Sequence, residues 1–371
     1  MLSYARCPRF PPRLLWTLVL GLALVLGAAS CSPGNEDHRQ SAAREDSVVL
    51  KGAGATFPYI LYKQWFAAYG REHPGTTITY QPVGSGEGIR RFIGRNVKEE
   101  ERIDFGASDA AMTDAEMALV DRGALAVPAT AGGIVLAYNL PGLSADLKLS
   151  RAACAGIFLG EIKKWNDPAI ARTNPGITLP RLSIVTVVRQ DRSGTTFAFT
   201  NHLGAFSERW RSRYGTATYV DWPGNAMRVA GNEGVAGRIS HSVGAIGYVG
   251  YEYAHRLGLQ VAAVENREGR FVKPTAESFA AALTTAHVPD DLRVFIPDPP
   301  GEAAYPIVTF TWILLYEHYD TVKKAAVQDF FNWCLGRGQS FAPEKGYLPL
   351  PQEVAAKGAS ALATISVAGP P

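Results

Sequence analysis

Short β-branched runs alternate with helical patterns along most of the chain, and turns rich in glycine and hydroxyls stand between them. Val48–Leu50 is apolar and runs into Gly52–Pro58 (GAGATFP). Thr56 suits a helix N-cap and Pro58 a first turn, so a helix is predicted from Tyr59 to about Tyr69. Thr76–Tyr80 alternates as a strand and leads through Gly84–Gly88 (GSGEG) into the helical Ile89–Ile93. Leu182–Val188 reads as another strand, and Thr196–Leu203 as the opening of a helix. Near the C-terminus, Ile307–Leu315 reads as a core strand and Val322–Leu335 as a packing helix. Strand and helix signals taken in turn predict α/β layers, and no solenoid-like repeat is present.

The turns carry the chemistry. Arg189–Thr195 (RQDRSGT) joins a strand to a helix, where unpaired N–H groups make an anion site. Ser193 and Thr195 add hydroxyls, Gly194 a backbone that can be closely approached, and Arg189 a planar cation that Asp191 is placed to brace. A polar surface turn with a local ion pair is the other reading of the same residues. GSGEG is not a dinucleotide fingerprint, since Ile89 stands where a third glycine is needed. Three strand-to-helix turns with glycine and hydroxyl point instead to a small tetrahedral anion. Asp104–Asp109 (DFGASD) opposes that sign of charge. A carboxylate tolerates an anion that brings a proton, as phosphate does near neutral pH and sulfate does not. Asp109 is therefore a candidate proton reader; alternatively it caps a helix over Ala110–Met117.

These segments resemble signatures of the phosphate-binding proteins that serve high-affinity phosphate ABC importers. Further similar stretches are Gly132–Asn139 (GGIVLAYN), Ile157–Trp165 (IFLGEIKKW) and Gly244–Val249 (GAIGYV). The resemblance runs in order from about residue 50 to about residue 351. It implies a two-lobed, type II periplasmic-binding-protein-like fold with two hinge crossings and a ligand cleft between lobes. The crossings fall near Thr130 and near Gly301, after Pro297–Pro300, so that 48–130 with 302–371 form lobe one and 131–301 lobe two. Carried over by position, the phosphate contacts fall on Thr56, Phe57, Ser85, Asp109, Arg189, Ser193, Gly194 and Thr195, with Asp191 behind Arg189. The expectation is a monomer that uses no cofactor or metal and, as the resemblance implies, delivers phosphate to a membrane permease. Two features depart from the family: Arg192 stands where glycine is frequent, and Lys98–Arg102 looks like an inserted, solvated loop.

The N-terminus bears on location. Arg6, Arg9 and Arg13 precede the apolar run Leu14–Ala29, and Leu26–Cys31 (LGAASC) resembles a lipoprotein cleavage site with Ala28 where leucine is usual. The expectation is an exported protein, with residues 1–30 removed, Cys31 lipidated on the cell membrane facing the periplasm or exterior, and 31–47 a polar tether. The whole chain has 37 Lys+Arg and 34 Asp+Glu; losing three arginines with residues 1–30 leaves 34 of each. A neutral mature chain argues against nucleic acid, which needs a basic footprint. Of four cysteines, Cys154 and Cys334 remain in the mature domain and are expected buried and reduced.

Enzyme signatures are weak. There is no Gly-x-Ser-x-Gly elbow and no HExxH pair. Glu252-x-x-His255 reads as a solvated helix face and His202 as a helix-surface residue. A serine hydrolase using Ser193, and a receptor for another tetrahedral oxyanion such as molybdate or tungstate, are the alternatives.

Overall fold

The β-branched runs become strands of one nine-stranded sheet in a computed structural model of the chain, which describes residues 47–143 and 145–369. The signal segment, Cys31 and nearly all of the expected tether lie outside the described residues. The strands are β1 (Val48–Gly54), β2 (Thr76–Gln81), β3 (Phe105–Ser108), β4 (Leu125–Tyr138), β5 (Val185–Arg189), β6 (Met227–Val229), β7 (Ala245–Gly250) and β8 (Val308–Leu315). Their order is β2-β1-β3-β8-β4-β7-β5-β6, with the short strand Gln260–Val261 also pairing β4.

β4 organises the sheet. Its first part pairs antiparallel with β8, from Leu125↔Leu315 to Gly133↔Val308, and Ile134–Tyr138 pair antiparallel with β7. A register shift at Thr311/Trp312 lies opposite Pro128, the kind of irregularity that accommodates a residue without an N–H. On one side β1 pairs parallel with β2 and β3; on the other β5 pairs parallel with β6 and β7. Every residue of β8 is buried, as expected of a strand covered on both faces.

Parallel strands need crossover helices, and those that matter here are α1 (Tyr59–Glu72), α2 (Ser85–Ile93), α3 (Gly194–Phe206), α4 (Gly231–Ser240), α5 (Tyr251–Arg256) and α6 (Thr321–Leu335). α1 buries Leu61, Tyr62, Trp65, Ala68 and Tyr69 on one stripe, with the Trp65 indole donating to the Gly338 carbonyl at 2.7 Å. The carboxyl ends of β1, β3 and β5 meet the starts of α2, α3 and α4, where ligands bind in open α/β sheets.

Several expectations shift. GSGEG is not a turn before a helix, because α2 begins at Ser85 and uses those glycines as its first turn. β5 starts at Val185, three residues later than the apolar run, whose first residue Leu182 is exposed. The helix expected over Ala110–Met117 is only Asp114–Met117, capped by Thr113 through a reciprocal box with Glu116, so Asp109 caps nothing there. Glu101, in the charged Lys98–Arg102 stretch, pairs with Arg90 at 2.9 Å and so ties the loop to α2. Cys154 and Cys334 are both buried and, among the described residues, unpaired, as expected.

Candidate functional site

The loop after β1 is held by three tyrosines. Tyr80, Tyr253 and Tyr347 hydroxyls donate to the carbonyls of Ala55, Thr56 and Phe57 at 2.8, 2.6 and 2.6 Å. In a trans peptide the N–H points opposite the preceding carbonyl. Fixing the Ala55 and Thr56 carbonyls on tyrosines therefore turns the Thr56 and Phe57 N–H groups the other way. Phe57 itself is fully buried, edge-on to Tyr347.

The Arg189–Thr195 segment folds as its residue types suggest. Ser193 caps α3, accepting from the Thr196 N–H at 3.1 Å. Arg189 lies at the end of β5 with its side chain 1% exposed, and donates through Nε (2.8 Å) and Nη2 (2.5 Å) to the two Asp191 oxygens. Its Nη1 reaches Thr195 Oγ1 at 3.3 Å. Burial pushes the Asp191 carboxyl up, but hydrogen bonds and charge from Arg189 outweigh it, leaving Asp191 below its ordinary value. Arg192 is exposed, with its guanidinium 5.9 Å from the Tyr219 ring, so the extra cation is turned to solvent.

Asp109 and Ser85 come from the other side of the sheet. Ser85 Oγ accepts from the N–H of Asp109 at 3.2 Å and from that of Gly194 at 3.0 Å, linking β3, α2 and α3. The Gly194 N–H, expected as an anion donor, is thus directed at Ser85. The Asp109 side chain is buried and accepts from Thr311 Oγ1 at 2.8 Å. Burial raises its carboxyl to about 7, against the pull of Thr311, the Arg189 charge and the Thr195 hydroxyl. A carboxyl poised near neutrality among hydroxyl and guanidinium donors can give or accept one proton. All eight predicted residues are buried; Ser85 links Asp109 to Gly194, Arg189 meets Thr195, and Asn232 Nδ2 donates to both Thr56 and Thr195.

Close approach requires glycine at two positions. At Gly84 (φ 97°) a Cβ would lie 2.3 Å from Asp191 Oδ2. At Gly194 it would lie 2.6 Å from both Asp109 Cβ and Ser85 Oγ. Gly194→Ala should accordingly force the two surfaces apart, at the cost of about 1–3 kcal/mol typical of overpacking, read as weaker anion binding by calorimetry. Unchanged affinity would mean that the surfaces do not approach this closely when anion is bound.

Sequence reasoning missed Asn232 and Thr311. Asn232 follows the same strand–glycine–polar–helix pattern as the other turns (Val229 to Asn232), so a signal existed. Thr311 lies inside the apolar β8 and had none. Two other readings are corrected. His202 is not a surface residue: it is 1% exposed, its Nδ1 sits 2.9 Å from the Pro297 carbonyl, and burial lowers it to about 4. Glu252 is not on a solvated face: it is 3% exposed against Gly346 and Tyr347, and among the described residues its carboxylate oxygens make no close hydrogen bond.

Burial holds Glu252 well above the ordinary glutamate range. The folded state then binds its proton more tightly than the unfolded chain does, so this contribution to stability is full at low pH and lost as pH rises through the folded value. Glu252→Gln keeps the shape without the charge. Its stability relative to the parent should rise between pH 5 and pH 8.5 in urea unfolding; an advantage equal at both pH values would show that Glu252 stays unprotonated in the fold.

The sequence profile of the PBP superfamily domain matches residues 40–337. Over 313 residues the chain is 42% identical to the phosphate-binding protein PstS of Pasteurella multocida, covering 83% of this chain and 88% of that one. With the phosphate-binding protein PstS of Methanocaldococcus jannaschii it shares 35% identity over 375 residues, covering 93% and 94%. In fold it is similar to a phosphate-bound, high-affinity periplasmic phosphate-binding protein, PfluDING (TM-score 0.70, 24% identity, covering 83% and 92%). The phosphate-binding protein of Stenotrophomonas maltophilia is likewise similar (TM-score 0.68, 19% identity, covering 84% and 93%). The fold is thus the expected periplasmic-binding-protein-like one, and by its likeness to these relatives over most of their length the chain belongs to the PstS phosphate-binding protein family.

Proposed function

We propose that this protein captures inorganic phosphate and hands it to the membrane permease of an ABC importer. The observation that carries this reading is the buried Asp109 carboxyl set beside Arg189 and a group of hydroxyls. An unprotonated dianion such as sulfate, molybdate or tungstate meets repulsion there, whereas a phosphate hydroxyl donates to the carboxylate. Thr56 and Phe57 supply N–H groups, Ser85, Ser193 and Thr195 hydroxyls, Gly194 the closely packed backbone whose N–H holds the Ser85 hydroxyl, and Arg189 the cation that Asp191 holds in place. Stripping water from an anion is costly, so these groups replace it with aligned donors, each charge-assisted bond contributing about 1.5–3 kcal/mol net.

In this reading residues 48–130 and 302–371 form one lobe, 131–301 the other, and closure about the crossings buries the anion. The protein works as an exported monomer, tethered to the membrane through lipid on Cys31. Calorimetry on anion-stripped protein, titrated with phosphate and then sulfate, tests the reading. Tight one-to-one phosphate binding without sulfate binding is expected; equal binding of both would remove the proton-reading role, and a folded sample silent to both would end the proposal.

A further inference from the structure

We infer that Asn232 sets the hydrogen-bond polarity of the site, holding the Thr56 and Thr195 hydroxyls as donors toward the anion. This rests on the phosphate reading above and names a positioning residue for it. A hydroxyl has one hydrogen to give and two lone pairs to accept with. Thr56 Oγ1 accepts from the Asn232 backbone N–H at 3.1 Å and from its Nδ2 at 2.9 Å. Thr195 Oγ1 accepts from the same Nδ2 at 3.1 Å and from Arg189 Nη1 at 3.3 Å. Each oxygen has both lone pairs engaged, and its remaining capacity is to donate; the Thr195 hydroxyl does so beside the Asp109 carboxyl, which it faces. A negatively charged ligand oxygen needs that, since a hydroxyl free to rotate offers it lone pairs as readily as hydrogen.

The amide itself cannot turn round. Asn232 is fully buried, and its Oδ1 accepts from the Gly250 N–H at 3.0 Å. Exchanging Oδ1 and Nδ2 would set an NH2 against that N–H, so the network fixes which atom faces the two threonines. One Nδ2, with two hydrogens, thereby ties the loop after β1 to the first turn of α3. Ser85 reaches the same condition by other means, accepting from two backbone N–H groups. Donor polarity at three hydroxyls is thus decided before any anion arrives, which is the preorganisation that binding requires.

Two substitutions and a double background test this by phosphate calorimetry on anion-stripped protein. Asn232→Ala removes the donor and should weaken binding about 10-fold, the scale of one buried hydrogen-bond partner lost. Asn232→Asp keeps the shape but offers an acceptor, which draws the two hydroxyl hydrogens toward itself, and should weaken binding about 100-fold or more at pH 8. The ratio of parent to Asn232→Asp affinity should shrink toward pH 5, where the introduced carboxyl gains a proton to donate; a ratio independent of pH counts against the inference. In a Thr56→Val/Thr195→Val background there are no hydroxyls to orient, and Asn232→Ala should cost less than about 3-fold more. The same loss in both backgrounds overturns the inference and leaves the phosphate reading standing. A cooperatively melting parent that binds no phosphate overturns both.

Discussion

Arg189→Ala is expected to weaken phosphate binding by about 3–5 kcal/mol, roughly 150- to 5,000-fold, the range for breaking a buried ion pair. The Arg189 side chain is 1% exposed and Asp191 18%, so water screens the pair poorly. Removing the guanidinium takes away the cation beside the proposed anion position. It also leaves Asp191 with the Gly231 N–H at 3.1 Å but without its charged partner, so the ligand-free protein should lose stability too. The two losses are separable. Calorimetry reads binding, and urea unfolding of the stripped protein reads the cost of the orphaned carboxylate. Near-parental affinity together with lowered stability would make Arg189 a structural partner of Asp191 and remove it from the site.

Asp109→Asn is the second large effect, and it acts on both selectivity and pH dependence. The amide can donate where the carboxylate repels, so sulfate should become a ligand; a variant that rejects sulfate as fully as the parent would show that discrimination arises elsewhere. For stability the sign follows from the raised carboxyl. At about 7 in the fold against an ordinary 3.8, Asp109 is protonated in the native state while the unfolded chain has already lost its proton. Its contribution is full below about pH 4 and falls away as pH rises to about 7. A displacement of about three pKa units corresponds to at most about 4 kcal/mol. Asp109→Asn should abolish that decline, so its stability advantage over the parent, small at pH 4, should grow toward pH 8. A difference independent of pH would mean that Asp109 is ionised throughout.

Both effects depend on groups brought together from distant parts of the chain. Asp109 is held by Thr311 from β8, and Ser85 reaches the Gly194 N–H across 109 positions. Asn232 serves Thr56 and Thr195, 176 and 37 positions away. None of these pairings is visible in a single turn, because a lone motif specifies its own backbone and not its neighbour. Glu252 and His202 illustrate the same limit from the other side. Each has a polar residue's usual claim to a helix surface, and each is buried because another segment covers it, Gly346–Tyr347 in one case and Pro297–Asp298 in the other.

The alternation of strands and helices, the turns rich in glycine and hydroxyls, and the pairing of Arg189 with Asp191 are legible in the chain without its fold. Those depend on neighbours within a few positions: β-branched runs favour strands, glycine with a hydroxyl favours a helix start, and a guanidinium can reach a carboxylate two residues on. That Asp109 does not cap the helix Asp114–Met117, that its carboxyl is raised toward neutrality, and that Asn232 and Thr311 join the cluster emerge only from the folded chain. Those outcomes follow from burial and from hydrogen bonds between strands far apart in the chain. The energy of a buried charge or hydroxyl depends on whatever surrounds it in three dimensions, which local sequence does not contain.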